Sequence, residues 1–187
     1  MPGLNDYTDE LLLDLLKQGD RQGFSEIYNR YWNKLFVVAY KRLKDSFSAE
    51  EVVQNVFVAL WNKRETLEIQ MLSVYLSAMT RYAVYKALAK EKRKLEVEKM
   101  GSDRIYKNES PESTFENKAI LEFIQKLTHI LPEKCRMVFI HNKLLDQPLD
   151  EVANSMGISI KTAEAHITKA LKIVRSKLGD NLSMFLL

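Results

Sequence analysis

The chain has 187 residues, of which 28% are charged and 46% belong to the hydrophobic set, as in an ordinary globular protein. This composition excludes wholesale disorder and collagen-like or low-complexity chains. The formal net charge is only +3, from 28 Lys and Arg against 25 Asp and Glu. So small an excess does not identify a nucleic-acid-binding protein, and the position of the positive charge matters more than its sum.

The single cysteine excludes an intramolecular disulfide and favours a cytoplasmic protein. Residues 1–8 lack a basic segment followed by an apolar one, so no secretory signal is expected. The longest apolar runs fall far short of the ~20 residues that a membrane-spanning helix needs. We therefore expect no direct insertion into a membrane.

Apolar residues in the first half recur at spacings of three and four, which predicts helices. Thr8 is a plausible N-cap for the first stripe, and the third stripe is expected to begin after Ser48. The four predicted helical stripes cover residues 11–16, 24–43, 52–61 and 72–94.

The segment 95–112 shows little apolar periodicity and contains Gly101 and Pro111, so it is predicted to be a flexible linker. It closes with Ser110 as an N-cap and Pro111 as the first helical position. Further helices are predicted over 115–127, 131–144 and 149–156, with Ser159 capping a last one to about Leu178. The predicted fold is all-α, with two small helical domains, 1–94 and 113–187, joined by the linker.

The segment 149–167 has the pattern of a DNA-binding helix-turn-helix. Ala153 is small where the second helix crosses the first, and Gly157 can adopt the left-handed conformation of a tight turn. The expected inward face of the second helix consists of Ile160, Ala163, Ile167 and Leu171.

The outward face of that second helix is basic. Between Gly157 and Leu178 there are five Lys or Arg residues and one Glu, a local net charge of +4. The candidate residues for contacts with base edges or phosphates are Lys161, Thr162, Glu164, Ala165, His166, Lys169 and Lys172. The alternative is an ordinary helical hairpin with a solvated basic face.

The predicted helix over 72–94 interleaves aromatic and basic residues, a pattern that suits single-stranded nucleic acid. Its candidate residues are Tyr75, Arg81, Tyr82, Tyr85, Lys86, Lys90 and Arg93. The alternative is that the tyrosines are half-buried core and that the cations form a solvated helix end.

The preceding helix exposes a face that could dock a partner helix, made of Glu51, Gln54, Asn55 and Val58. A merely solvated face is the alternative. Cys135 is expected to be a buried small hydrophobe. His129, His141 and His166 lack metal-ligand spacing, so neither a metal nor another cofactor is expected.

Three stretches in this order resemble one family, the bacterial extracytoplasmic-function (ECF) sigma factors. The stretches are AEEVVQNVFVALW at 49–61, YLSAMTRYAV at 75–84, and LPEKCRMVF at 131–139 followed by the helix-turn-helix. They are similar to the second conserved helix of region two, to the promoter-melting helix, and to region four. The resemblance covers about residues 20–94 and 116–178.

The resemblance implies a transcription initiation factor and not an enzyme. The face with Glu51, Gln54, Asn55 and Val58 would dock on core RNA polymerase. The helix from Tyr75, with the loop 64–73 before it, would read and open the −10 element of promoter DNA and hold a flipped base. The helix-turn-helix would bind the −35 element. An anti-sigma factor is the regulatory partner that the family implies.

This sequence departs from the family pattern at four candidate positions. Asn55 replaces a usual acidic residue, and Ala165 replaces a common polar residue in the recognition helix. Tyr82 and Lys86 stand where Asn or acidic residues are frequent, which makes the −10 helix more basic and aromatic.

Three other classes of protein are alternatives to a sigma factor. A stand-alone regulator of the LuxR type has a similar helix-turn-helix but would carry strands in its first half. A helical enzyme would need a phosphate loop, a metal cluster or a nucleophile–base pair, and none is recognisable. A helical adaptor that binds only protein would not depend on the cations of the helix-turn-helix.

Overall fold

The computed structural model describes residues 7–99 and 113–178, and within them all regular secondary structure is helical, which confirms the predicted fold class. The helices are α1 (Asp9–Lys17), α2 (Arg21–Leu43), α3 (Ser46–Lys63), α4 (Leu72–Lys99), α5 (Ser113–Ile130), α6 (Glu133–Phe139), α7 (Leu149–Ser155) and α8 (Ile160–Leu178). A π-helical turn, Ile140–Leu144, extends α6.

Side-chain caps determine where the first three helices begin. The hydroxyl of Thr8 accepts a hydrogen bond from the amide of Leu11, which confirms the predicted cap of α1. Helix α3 begins at Ser46, earlier than expected, because the carboxylate of Asp45 accepts from the amide of Ser48 at 2.8 Å. The N-cap is thus Asp45, and Ser48 donates its amide to it.

Helix α4 is longer than the sequence predicts. It continues to Lys99, five residues past the expected end at 94. Residues 91–99 are mostly Lys, Arg and Glu, which favour helix, and Lys92 lies 4.0 Å from Glu96 one turn on. The rest of the predicted linker, with the expected helix start at Ser110, lies outside the described residues.

Aromatic packing holds α2 against α3. The ring of Phe57 on α3 lies between 4.8 and 6.2 Å from the rings of Phe24, Tyr28 and Trp32, all on one face of α2. These contacts bury the inner side of α3, and the opposite side of the helix is therefore left facing outward.

The helix-turn-helix forms as predicted, with one correction. Gly157 has a φ of +63°, and the amide of Ile158 donates to the carbonyl of Ala153 at 3.0 Å, which closes the tight turn. Ala163 and Ile167 are buried, but Ile160 is 51% exposed, so its predicted place on the inward face is wrong. Ile160 is the first residue of α8, and Ile158 in the turn packs against this core in its place.

The two domains pack against each other through α4 and α5. One apolar core runs from Leu76 and Met79 of the first domain to Ile120, Phe123 and Leu127 of the second. Each domain is small for an independent core, and sharing one adds buried apolar surface to both. We call this packing the closed arrangement.

Gly23 allows α1 to lie close to α2. A Cβ at this position would be 2.7 Å from the Cβ of Leu15, which is too close and cannot move away freely. We expect Gly23→Ala to lower the free energy of unfolding by about 1–2 kcal/mol, since overpacking outweighs the gain in helix propensity. Urea unfolding followed by circular dichroism measures this change.

The matched control for that substitution is Gly157→Asn. No atom lies within 4 Å of a Cβ built on Gly157, and asparagine tolerates its left-handed backbone better than most residues. We expect Gly157→Asn to lower the free energy of unfolding by less than about 1 kcal/mol. If Gly23→Ala were no worse than this control, the close approach of α1 and α2 would not matter.

Candidate polymerase and nucleic-acid interfaces

The predicted docking face lies on α3. Glu51, Gln54, Asn55 and Val58 are all exposed, and the exposed fraction of Val58 is 55%. Their spacing of three and four places them on one side of the helix, opposite the side packed on α2. An exposed apolar valine flanked by polar groups suits the binding of another helix.

The outward face of α8 presents the candidate −35 residues. Lys161, Glu164, Ala165, Lys169 and Lys172 are exposed. Thr162 is exposed too, and its amide donates to the hydroxyl of Ser159 at 3.1 Å, which confirms Ser159 as the N-cap. The structure thus gathers six of the seven predicted residues on one open surface.

The seventh residue, His166, is half-buried and contacts α6. Its Nδ1 lies 3.3 Å from the Sγ of Cys135, whose side chain is buried as expected. The other ring nitrogen of His166, Nε2, does not face the thiol. No pattern in the sequence indicates the contact, because the two residues are 31 positions apart.

Helix α4 separates its candidate residues into two groups. Lys86, Lys90 and Arg93 are exposed, and Tyr82 and Tyr85 are half-buried. The ammonium group of Lys86 lies 5.9 Å from the centre of the Tyr82 ring. An aromatic ring beside cations is the arrangement that binds single-stranded nucleic acid.

Tyr75 and Arg81 belong to the other group, because both are buried, at 1% and 3% exposure. Burial raises the pKa of the Tyr75 phenol well above its usual range, so the phenol stays neutral. Neither side chain can reach DNA while the domains keep the closed arrangement.

The loop between α3 and α4 lies against α5 on one side, although Glu68, Gln70 and Met71 stay exposed. A small cavity of about 30 Å³ lies between this loop and α5. Its lining residues are Glu68, Ile69, Gln70, Met71, Tyr75, Leu121, Ile124 and Gln125. This cavity is too small for a base, so a base could reach the loop only from its exposed side.

Polar contacts join the two domains at Asp146, in the turn before α7. Its two carboxylate oxygens lie 3.2 Å from Nη2 of Arg81 and 2.7 Å from Nζ of Lys41. Arg81 also donates from Nε to the carbonyl of Leu144 at 3.4 Å. Sequence patterns do not reveal this contact, because Asp146 is 65 residues from Arg81 and 105 from Lys41.

The charges at this contact influence one another. Burial lowers the pKa of Arg81 to about 10, and the nearby charge of Arg42 acts in the same direction, while Asp146 opposes both. Burial acts to raise the pKa of Asp146, but hydrogen bonds and charge from Lys41 and Arg81 outweigh it, so that pKa is lowered. Arg81 and Asp146 are therefore both charged at neutral pH.

No helix in segments 7–99 and 113–178 combines the length and the apolar character needed to cross a membrane.

Comparison with known proteins places both domains in one family. Residues 27–94 match the family model of Sigma-70 region 2, and residues 121–174 match that of Sigma-70 region 4. The chain is 22% identical over 175 residues to the ECF RNA polymerase sigma factor SigW of Bacillus subtilis (strain 168), covering 88% of this chain and 94% of that one.

Among solved structures, the chain is similar to CnrH in its complex with the cytosolic domain of CnrY. The TM-score is 0.44 at 18% identity, over 91% of this chain and 96% of that one. The two matched domains hold the exposed face of α3, the −10 candidates of α4 and the basic face of α8. The chain belongs to the sigma-70 family, in the ECF group of bacterial RNA polymerase sigma factors.

Proposed function

We propose that this sigma factor binds core RNA polymerase through α3, directs it to specific promoters and helps to melt the −10 element. The observation that carries the proposal is that three separate surfaces on the two domains are exposed. They are the face of α3 with Val58, the cations of α4 from Lys86 to Arg93, and the basic face of α8. Each has the chemistry that its role requires.

The face of α8 is proposed to bind the −35 element. This helix stands at the position of a recognition helix, and its exposed lysines can contact phosphates and base edges in the major groove. Ala165 can offer only apolar contact, which suits a thymine methyl group.

Helix α4 and the loop before it are proposed to bind the opened −10 strand. Tyr82 can stack on a base, and Lys86, Lys90 and Arg93 can follow its phosphates. Tyr75 and Arg81 become accessible only when the second domain moves away. Binding to DNA through these two side chains therefore requires the domains to leave the closed arrangement.

The two domains are proposed to act together on core polymerase. Two weak contacts on one linked chain reinforce each other through effective concentration, so each element need be bound only weakly. We also propose a cytoplasmic location, an anti-sigma protein as regulatory partner, and no catalytic activity of the chain itself. A stand-alone regulator of the LuxR type is not favoured, because such a regulator would have no use for a polymerase-docking face on α3.

The test of core binding uses size-exclusion chromatography with core RNA polymerase and labelled genomic fragments. We expect the chain to elute with core and DNA to be retained only when both proteins are present. Val58→Asp should abolish co-elution, since a charge would replace an apolar contact at the centre of the face. Its side chain is exposed, so the fold should not change.

Asn33→Asp is the matched control, because it adds the same charge at an exposed position on α2. It should co-elute like the unchanged chain. Tight DNA binding without core, or co-elution of Val58→Asp, would contradict the proposed docking face.

A further inference from the structure

Two cations of the first domain, Lys41 and Arg81, hold the carboxylate of Asp146 from the second, and Arg42 lies nearby with its Nη1 donating to the carbonyl of Val38. Lys41 and Arg42 lie at the end of α2, and Arg81 lies in the middle of α4. Arg42 is close enough for its charge to act on both Arg81 and Asp146. We call these four residues the interdomain cluster.

Among these four described residues, the positive groups outnumber the negative one. Three positive groups belong to the first domain, and one negative group belongs to the second. If the second domain moves away, the three cations remain together on the first domain. Arg81, now 3% exposed, would then face solvent beside Lys41 and Arg42. Such a cluster attracts an anion.

The position of the carboxylate indicates which anion. Lys41 and Arg81 hold different oxygens of Asp146, at 2.7 and 3.2 Å, as two cations can hold two oxygens of a phosphate. Arg81 is followed on the same helix by Tyr82 and Lys86, which are proposed to contact the −10 strand. A phosphate at this place would lie next to that strand.

We propose that Lys41, Arg42 and Arg81 form a site for one backbone phosphate of DNA, and that Asp146 occupies it in the closed arrangement. This inference rests on the proposed function of α4. It adds two residues of α2 to the DNA-binding surface. It also gives Asp146 a role as an internal competitor of DNA.

The backbone of Asp146 makes the proposal easy to test. Its φ is +58°, in the left-handed region that asparagine and glycine accept readily. Asp146→Asn removes the charge and keeps the shape, and Asp146→Gly removes the side chain. Both should fold, and circular dichroism verifies this; if one does not, the other decides the result.

The experiment measures the affinity of the full chain, without polymerase, for a short fluorescein-labelled single-stranded DNA. Asp146→Asn should bind about tenfold more tightly than the unchanged chain, with a salt slope steeper by about 0.7 for one more neutralised phosphate. Asp150→Asn, on the exposed start of α7, removes the same charge elsewhere and should change the affinity by less than about twofold.

The tighter binding must depend on the cations. Adding Lys41→Gln or Arg81→Gln to Asp146→Asn should remove most of the gain in affinity for DNA. The Lys41 side chain is 57% exposed, so its replacement does not endanger the fold. The site would be overturned if Asp150→Asn raised the affinity as much as Asp146→Asn does. It would also be overturned if the gain in affinity survived both cation changes.

Two further arms identify the source of the phosphate. On an oligonucleotide with a neutral methylphosphonate backbone, Asp146→Asn should bind no more tightly than the unchanged chain. With normal DNA, millimolar inorganic phosphate should not abolish the tighter binding. Tighter binding to the neutral backbone would overturn the site, and full competition by inorganic phosphate would overturn its assignment to DNA in favour of a free anion. Because polymerase is absent, failure here is distinct from failure to bind core.

Discussion

Replacing Lys161, Lys169 and Lys172 together by glutamine should lower promoter-dependent transcription by about a hundredfold or more. These side chains are exposed on α8, so the fold should be retained while up to three phosphates or bases go unbound. The dependence of holoenzyme–promoter affinity on log salt should become shallower by about 0.9 for each phosphate that is no longer neutralised. Binding titrations at several salt concentrations measure the change in affinity and its salt slope, and run-off transcription measures the activity.

The matched control replaces three exposed lysines of the first domain, Lys17, Lys34 and Lys44, by glutamine. The total charge changes equally, but promoter affinity should stay close to that of the unchanged protein. If transcription survived the change on α8, the second domain would not bind DNA through this face. An adaptor that binds only protein would then be the better interpretation.

Tyr82→Ala combined with Lys86→Ala should lower transcription from a linear duplex by about tenfold or more and leave a pre-melted template nearly unaffected. The reason is that stacking of one base contributes about 1–3 kcal/mol, which helps to open the duplex but is not needed once it is open. Run-off transcription from the two templates gives the ratio.

Tyr75 is unsuitable for this test because of its burial. Alanine in place of a tyrosine that is 1% exposed would leave a cavity costing several kcal/mol, about 3–5 by analogy with large aromatic residues. A decrease in activity would then report unfolding.

The control for the double variant is Tyr40→Ala with Lys44→Ala. It removes another exposed tyrosine and a lysine four residues later, at the end of α2. Any effect on core binding would lower transcription from both templates equally, so the ratio between the two templates should not change. Equal decreases on both templates for the Tyr82 and Lys86 variant would show that these residues do not serve melting.

The candidate surfaces that depend on one helix were predictable from the sequence. The spacing of Val52, Val53, Val56 and Phe57 on α3 implies that the intervening residues face outward, and they do. The spacing of Ala163 and Ile167 does the same for the lysines of α8. Ile160 is exposed because it is the first residue of α8, and Ile158 in the turn packs on this core in its place; periodicity does not show which residue near a turn does so.

Residues on α4 could not be assigned by periodicity. Tyr82 and Lys86 are accessible, but Tyr75 and Arg81 are buried by contacts with the second domain. A tyrosine or arginine interleaved with lysines looks the same in sequence whether another domain covers it or not. Only the packing of α5 and of the turn at Asp146 distinguishes the two cases.

The sequence by itself determined the helices of the described segments, the caps at Thr8 and Ser159, the helix-turn-helix with its basic face, and the family resemblance. These depend on local rules: a period of 3.6 residues, hydrogen bonds within one turn, and a glycine at a left-handed position. The tertiary structure decided the shared core, the contact of Cys135 with His166, and the interdomain cluster. The polar contacts among these join residues from 31 to 105 positions apart, and their energy depends on burial and distance, which no local pattern encodes.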